Sequence, residues 1–247
     1  LGIALKESGQ RQKSINCFKK IIKINPNYAK SYFNLHTLLI SNNNIISTIN
    51  CLKKSVKIDP NNDSYNFNLS ILLEYSGNFN KAKKYLYKID KSPKLIKSQL
   101  DSWNYIKNCQ KKIPKMIGYP TDAFKIATKA SLKSGLVLEF GVSFGNSIKQ
   151  IAKLISTTIH GFDSFQGLPE PWHNESKGTY STKGSIPKLP KNVCIHKGLF
   201  KDTIPKFLKK NNDLIRLINI DCDLYSSTNT VLNLIANQIV TGSIIIF

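Results

Sequence analysis

The sequence repeats itself at a displacement of 34 residues over its first third. Pro26 and Pro60 each follow a Lys-Ile-Asn/Asp step, in "KINPN" and "KIDPN". Leu5, Leu39 and Leu73 share one position of the repeat, Leu1, Leu35 and Leu69 a second, and Phe18, Leu52 and Leu86 a third. Ser14, Thr48 and Ala82 fill a small-residue position, while Gly9, Asn43 and Gly77 fall where a tight helix–helix turn belongs. Cys17 and Cys51 also share a register, which makes them packing residues rather than ligands. Within each unit the apolar positions recur at helical spacing. Such a unit cannot bury its apolar stripe alone, so neighbours must stack, and the pattern predicts an α-solenoid over residues 1–90.

The length and pattern resemble the tetratricopeptide repeat (TPR), in which paired helices end near a proline. The resemblance covers about residues 1–90; no Trp opens the unit, and the third copy ends weakly in "KIDKSP". It implies a concave face that takes a peptide or another protein, or else a scaffold that stiffens or dimerises a downstream enzyme domain. Residues 91–134 read as a helical linker and the start of a second domain, interrupted by Pro93, Pro114 and Pro120. One helix is expected over 101–110, with Trp103 and Ile106. Another is expected to open at Thr121 or Asp122 and stop near Gly135.

From 135 onward the period changes. Short apolar runs at 136–140, 158–162, 193–196 and 215–221 alternate with helical stretches at 146–155, about 202–210, and 226 or 227–239, and "SIIIF" begins a fifth strand. Alternation of this kind builds a parallel α/β sheet over 135–247, with ligands bound at the carboxyl ends of the strands. The unusual polar residues lie at those ends. Glu139 closes the first strand, and "EFGVSFGNS" places Gly141 and Gly145 in the turn and Asn146 and Ser147 at the helix start. The spacing is G-x-x-x-G rather than that of a dinucleotide site, and Glu139 would repel a pyrophosphate. An acid there suits a ligand carrying positive charge, such as the amino group or sulfonium of S-adenosylmethionine.

Asp163, followed by Ser164, ends the second strand, either as acceptor for two ribose hydroxyls or as a cap for its own turn. After the third strand Gly198 and Phe200 are expected to flank an adenine ring, and Asp202 to cap a helix. Asp221 and Asp223, in "LINIDCDLYSST", point the same way if the strand continues, whereas Asp223 braces the next helix if it does not. Asp221 is the better metal or substrate ligand, and hard oxygen ligands without a His/Cys cluster suit Mg²⁺. The long loop "GLPEPWHNESKGTYSTKG" offers Trp172, His173 and Tyr180 as an acceptor lid. His160 and His196, on strands, read as structural.

The net charge of +21 invites a nucleic-acid reading. Of 36 basic residues, however, only Arg11 and Arg216 are arginine, and the lysines are spread along the chain rather than gathered in a block. Base readout favours arginine forks, so a solvated basic surface is expected and no nucleic-acid partner. No run approaches the roughly 18 apolar residues of a membrane span. Five cysteines without a C-x-x-C pair give neither a disulfide framework nor a zinc signature, and point to a reducing cytoplasm. Because the chain opens at Leu1 and closes on "GSIIIF", it is expected to be a fragment at both ends.

Taken in order, "LEFGVSFGNSI", "GFDSFQGLPEPW", "KGLFKDTIP" and "IDCDLYSST" resemble the macrocin O-methyltransferase (TylF/MycF-like) family of class I S-adenosylmethionine-dependent methyltransferases, over about residues 135–247. The resemblance implies a Rossmann-like fold and Mg²⁺-assisted methyl transfer to a hydroxyl, typically on a sugar or glycan. It places Glu139, Gly141, Gly145 and Asp163 on the cofactor positions and Asp221 on the first metal-binding aspartate. The remaining metal-binding acids of that family come after the fifth strand, apparently one residue beyond Phe247, so this chain is expected not to catalyse by itself. The alternative from another class is a TPR interaction module carrying a degenerate, non-catalytic cofactor-binding domain.

Overall fold

A computed structural model describes residues 1–40, 44–89, 94–109 and 115–247. Asn43, Pro93 and Pro114, used above as repeat and linker positions, lie outside the described residues. The chain divides into two compact units, Leu1–Tyr119 and Pro120–Phe247.

The first unit is helical: α1 (Gly2–Glu7), α2 (Arg11–Ile24), α3 (Ala29–Leu39), α4 (Ile45–Ile58), α5 (Asp63–Tyr75), α6 (Phe79–Ile89) and α7 (Lys94–Cys109). The 34-residue displacement carries α2 onto α4 end to end, each 14 residues long. Its chemistry is local. Pro26 and Pro60 occupy equivalent turns closed by Tyr28 N–H to Asn25 O and Asn62 N–H to Asp59 O, where proline presets the turn's backbone angle. Gly9 and Gly77 both take φ near +80° (79° and 80°) at helix–helix turns, a region that glycine enters without cost. Ser14, Thr48 and Ala82 are fully buried, because neighbouring helices approach closely at this small-residue position. Leu52 and Leu69 pack with Ala82 in one cluster, and Phe18, Leu35 and Leu38 form a second. Helix α7 docks on α5 through Glu74, whose carboxylate accepts from Trp103 Nε1 (2.5 Å) and Lys107 Nζ (2.8 Å).

The second unit runs α8 (Pro120–Ala130), β1 (Leu136–Phe140), α9 (Asn146–Ala152), β2 (Ile159–Asp163), β3 (Val193–Lys197), α10 (Phe200–Leu208), β4 (Ile215–Ile220), α11 (Tyr225–Ile235), a 3₁₀ turn (Ala236–Gln238) and β5 (Ile239–Ile246). All strand pairs are parallel, in the order β3-β2-β1-β4-β5. Helices cover both faces, which is why all five residues of β1 are buried. Strand alternation sorts the core. Leu136, Leu138, Phe140 and Phe162 pack with Ile204 and Phe207 of α10 and Val231 and Ile235 of α11. Val137, Ile159 and Leu217 pack with Phe124 of α8 and Ile148 and Ile151 of α9 on the other face. The chain leaves β1 towards β2 and β3, then returns to the far side of β1 for β4 and β5. That reversal opens a crevice beyond the carboxyl ends of β1 and β4, the usual ligand position in open parallel sheets.

Several element bounds differ from the sequence reading; α7 already starts at Lys94 and α8 stops at Ala130. Helix α11 stops at Ile235, and β5 starts at Ile239, four residues before the expected "SIIIF". Thr241-Gly242-Ser243 looks like a turn, yet it runs within β5 as an irregularity, with Gly242 at φ 96° and a register shift against β4. Helix α9 ends at Ala152 rather than 155.

Candidate active site

A cleft of about 270 Å³ lies at the carboxyl ends of the strands. Its walls come from the segment after β1 (Gly141, Ser143), the end of β2 (Asp163, Ser164), the segment after β3 (Gly198, Leu199, Phe200), and Asp221, Cys222 and Asp223 after β4. Gly167, Leu168, Pro169 and Tyr180 of the long loop, together with Ser226 and Thr230 of α11, close it. The wall is apolar towards Leu199 and Phe200 and acidic towards Asp221 and Asp223.

Asp163 organises the β1 end. Its Oδ2 accepts from Val142 N and Ser143 N, both at 2.7 Å, and its Oδ1 accepts from Phe165 N at 2.6 Å. One carboxylate thus holds the glycine turn after β1 and its own turn. A carboxylate has about four acceptor positions, so one remains for a ligand. The residue therefore caps its turn and also lines the cleft, with room for one hydrogen bond from a ligand rather than the two expected from ribose hydroxyls.

Glu139 is placed differently from the sequence expectation that it meets the ligand. It is fully buried and does not line the cleft. Strand parity turns it with Val137 towards α9, where Oε1 accepts from Ser147 Oγ (2.9 Å) and Oε2 from Asn219 Nδ2 (3.1 Å). Asn219 is its register partner on β4. Glu139 therefore ties β1, α9 and β4 together beneath the crevice. Burial pushes its carboxyl up to about 8, against the hydrogen bonds from Ser147 and Asn219 that pull it down. Between 4.5 and about 8 the folded unit keeps a proton that the unfolded chain has released, so stability falls as pH rises through that window. The slope is roughly 1 kcal/mol per pH unit. Urea midpoints of the second unit at several pH values should show this decline, and Glu139→Gln, which keeps the shape but cannot ionise, should flatten it.

The other expected cofactor residues divide. Gly141 (φ 90°), Ser164, Gly198 and Phe200 line the cleft. Gly145 (φ 75°), Asn146 and Ser147 do not. A Cβ on Gly145 would lie 2.6 Å from Leu189 Cδ2, so this glycine admits the long loop rather than a ligand. Asp202 sits in the first turn of α10 without a side-chain cap bond from the N-cap position, which Leu199 holds.

Strand β4 ends at Ile220, so Asp221 and Asp223 do not alternate along an extended chain. Asp223 takes φ 61°, a left-handed conformation that Asp tolerates better than most residues. The turn brings both carboxylates to the cleft wall. Desolvation raises the Asp221 carboxyl above the usual aspartate range and the nearby Asp223 adds to it; Asp223 is raised by desolvation too. The Asp223 charge that disfavours ionisation of Asp221 is one that a cation between them would offset.

Trp172 and His173 stand outside the cleft lining. They form a small turn of their own, with Trp172 bridged to Glu175 and the two rings 5.0 Å apart. The loop meets the cleft instead through Gly167–Pro169 and Tyr180, and Glu170 fastens it to α11 by accepting from Ser226 Oγ at 2.5 Å. Sequence reasoning also missed Lys201 and Cys222 as lining residues; their places four and two residues past the ends of β3 and β4 were the available signal. His160 and His196 pack against Phe162 and Phe207 on the opposite side of the sheet from Glu139, with Nδ1 and Nε2 3.1 Å apart. Desolvation lowers both imidazoles below the usual histidine range.

Residues 138–247 match the protein family described as a methyltransferase domain. The second unit is therefore similar to a methyltransferase domain over those residues. Residues 1–28 match a tetratricopeptide repeat. No curated protein sequence matches the chain. Among solved structures, a crystal structure of CalS11, calicheamicin methyltransferase, aligns at 20% identity and TM-score 0.42, over 68% of this chain and 76% of that one. An apo structure of CalS11, described as a TDP-rhamnose 3'-O-methyltransferase of calicheamicin biosynthesis, aligns at 26% identity and TM-score 0.38, over 51% of this chain and 59% of that one. A Thermobaculum terrenum O-GlcNAc transferase mutant aligns at 12% identity and TM-score 0.40, over 88% of this chain and 44% of that one. The residues that line the cleft, Gly141 to Thr230, all lie within the matched stretch 138–247. Among the described residues, no helix is long and apolar enough to cross a membrane.

Proposed function

We propose that the chain is an S-adenosylmethionine-dependent O-methyltransferase acting on a sugar or glycan hydroxyl, with Mg²⁺ assisting. The observation that carries this reading is a cleft at the β1/β4 switch point, inside a matched methyltransferase domain, with an apolar wall at one end and paired carboxylates at the other. That arrangement fits a ligand with a flat aromatic base, a diol and a cationic tail. Leu199 and Phe200 suit the base, with Phe200 held edge-on to Phe140 at 5.6 Å. The free acceptor position of Asp163 suits one hydroxyl of the diol, and Asp223 suits the cationic tail, which leaves Asp221 for the metal.

S-adenosylmethionine supplies an electrophilic methyl group on its sulfonium. The chain's own contribution is to orient and enclose. Asp163 fixes the glycine turn, Glu139 fixes the strand ends beneath it, and the Glu170–Ser226 bond holds the loop over the cleft. Most of the acceleration then comes from holding the acceptor hydroxyl in line. Tyr180 at the mouth offers an aromatic face of the kind that sugars stack on. Asp221 is the residue that would hold Mg²⁺, which takes one or two protein carboxylates and completes its shell with water or substrate oxygen. There it would lower the pKa of the bound hydroxyl. The sugar acceptor rests on the four-motif resemblance alone. The helical unit is proposed to bind a protein or peptide partner, and the five free cysteines suit a reducing cytoplasm.

The test is transfer of a labelled methyl group from S-adenosylmethionine, by the full-length protein, to a panel of sugars and glycans, with Mg²⁺ or with EDTA. Turnover that needs Mg²⁺ and falls at least about a hundredfold in Asp221→Asn, as loss of a main electrostatic group does, is the expected result. Cofactor binding without turnover on any acceptor would favour the interaction-module reading instead.

A further inference from the structure

The methyltransferase reading leaves unused a cluster on the edge of the sheet. His160 on β2 and Cys194 on β3 are register partners, and His196 lies two residues beyond Cys194 on the same side of β3. Nδ1 of His160 and Nε2 of His196 are 3.1 Å apart, and the ligand atoms of His160, Cys194 and His196 all lie within 4.8 Å of one another. Among the described residues this is the group of three or more His, Cys, Asp or Glu side chains placed to hold one metal ion. Phe162 and Phe207 wall the imidazoles with ring centroids 4.6 to 5.0 Å away, which fixes their planes. Cys194 is exposed and leaves an open approach.

We propose that His160, Cys194 and His196 form a Zn²⁺ site with three protein ligands and a solvent-facing fourth position, distinct from the cleft. Imidazole and thiolate are the donors that zinc prefers over Mg²⁺ or Ca²⁺. With Zn–N near 2.0 Å and Zn–S near 2.3 Å, tetrahedral ligand atoms stand about 3.5 Å apart. The two imidazole nitrogens already meet that spacing, and a χ1 rotation of the exposed Cys194 brings the thiolate in. On binding, Zn²⁺ takes the place of the proton shared between the two nitrogens, which passes through solvent to the other ring nitrogen of the same imidazole, so both rings stay neutral, and the Cys194 thiol releases its proton to solvent. The ion cross-links the edge strand β3 to β2. Because β3 leads directly into Gly198, Leu199 and Phe200, it steadies one wall of the cleft without touching the ligand.

The experiment is titration of the whole chain, stripped with EDTA, with Zn²⁺ and separately with Co²⁺. The site predicts one equivalent bound, a higher thermal midpoint in excess Zn²⁺, and a thiolate-to-Co²⁺ charge-transfer band with four-coordinate visible bands. Cys194→Ser and His196→Gln should each weaken Zn²⁺ binding at least about tenfold, the smaller loss known even for outer partners of metal ligands. Cys194→Ser should remove the charge-transfer band, and Cys109→Ser, an exposed thiol of the other unit, should change nothing. Zn²⁺ affinity unchanged in Cys194→Ser, or a band that survives it, overturns the proposal. The readouts do not depend on methyl transfer.

Discussion

Gly141→Ala should be the most damaging single methyl in the second unit. A Cβ at this position would stand 2.0 Å from the Asp221 carbonyl oxygen, 2.6 Å from its carbon and 3.1 Å from Cys222 N. All three are backbone atoms, so no side chain can rotate away, and β1 must part from the end of β4. The residue also holds φ 90°, where an L side chain is strained by about 1 to 2 kcal/mol. Overpacking adds about 1 to 3 kcal/mol, giving a loss of about 2 to 5 kcal/mol and a thermal midpoint lower by roughly 10 °C. Gly178→Ala separates the two causes. It holds φ 86° with nothing within 4 Å of the added Cβ, so it should show the strain alone. Equal losses in the two variants would mean that the β1–β4 contact is not the constraint described.

Asp163→Ala should have the next largest effect. Three backbone N–H groups, of Val142, Ser143 and Phe165, lose a charged acceptor together. Hydrogen bonds to charged groups contribute about 1.5 to 3 kcal/mol each, and the three share one carboxylate, so the expected loss is about 3 kcal/mol in total. Amide exchange at Val142 and Ser143 should accelerate well beyond the change seen in the strands, because the glycine turn is released first. Asp163→Asn should fall between, since its amide oxygen can serve one side but its NH₂ faces an N–H on the other. If Asp163→Ala leaves exchange at Val142 and Ser143 unchanged, the carboxylate does not hold the turn.

Legibility of the sequence depends on the range of the interactions involved. The 34-residue displacement reveals α2 and α4 because helix periodicity and the Pro26 and Pro60 turns are local signals. Strand β1 is bounded correctly at 136–140, since an apolar run between a glycine and a glycine-rich turn is local too. Glu139 is misplaced towards the ligand because both faces of β1 are buried. Parity alone then says which residues share a face, but not that Ser147 and Asn219 wait there. Asp163 shows its position at the strand end but not its partners, two of which lie 20 and 21 residues upstream. Asp223 depends on a left-handed turn that no spacing rule encodes. The His160–Cys194–His196 cluster needs the β2–β3 register, which is a property of the assembled sheet.

Calorimetric titration of the chain with S-adenosylhomocysteine decides whether the cleft is a cofactor site. Saturable binding of one equivalent is expected, lost in Gly141→Ala and preserved in Gly178→Ala. No binding up to about 1 mM, a free energy weaker than about −4 kcal/mol, would contradict the assignment.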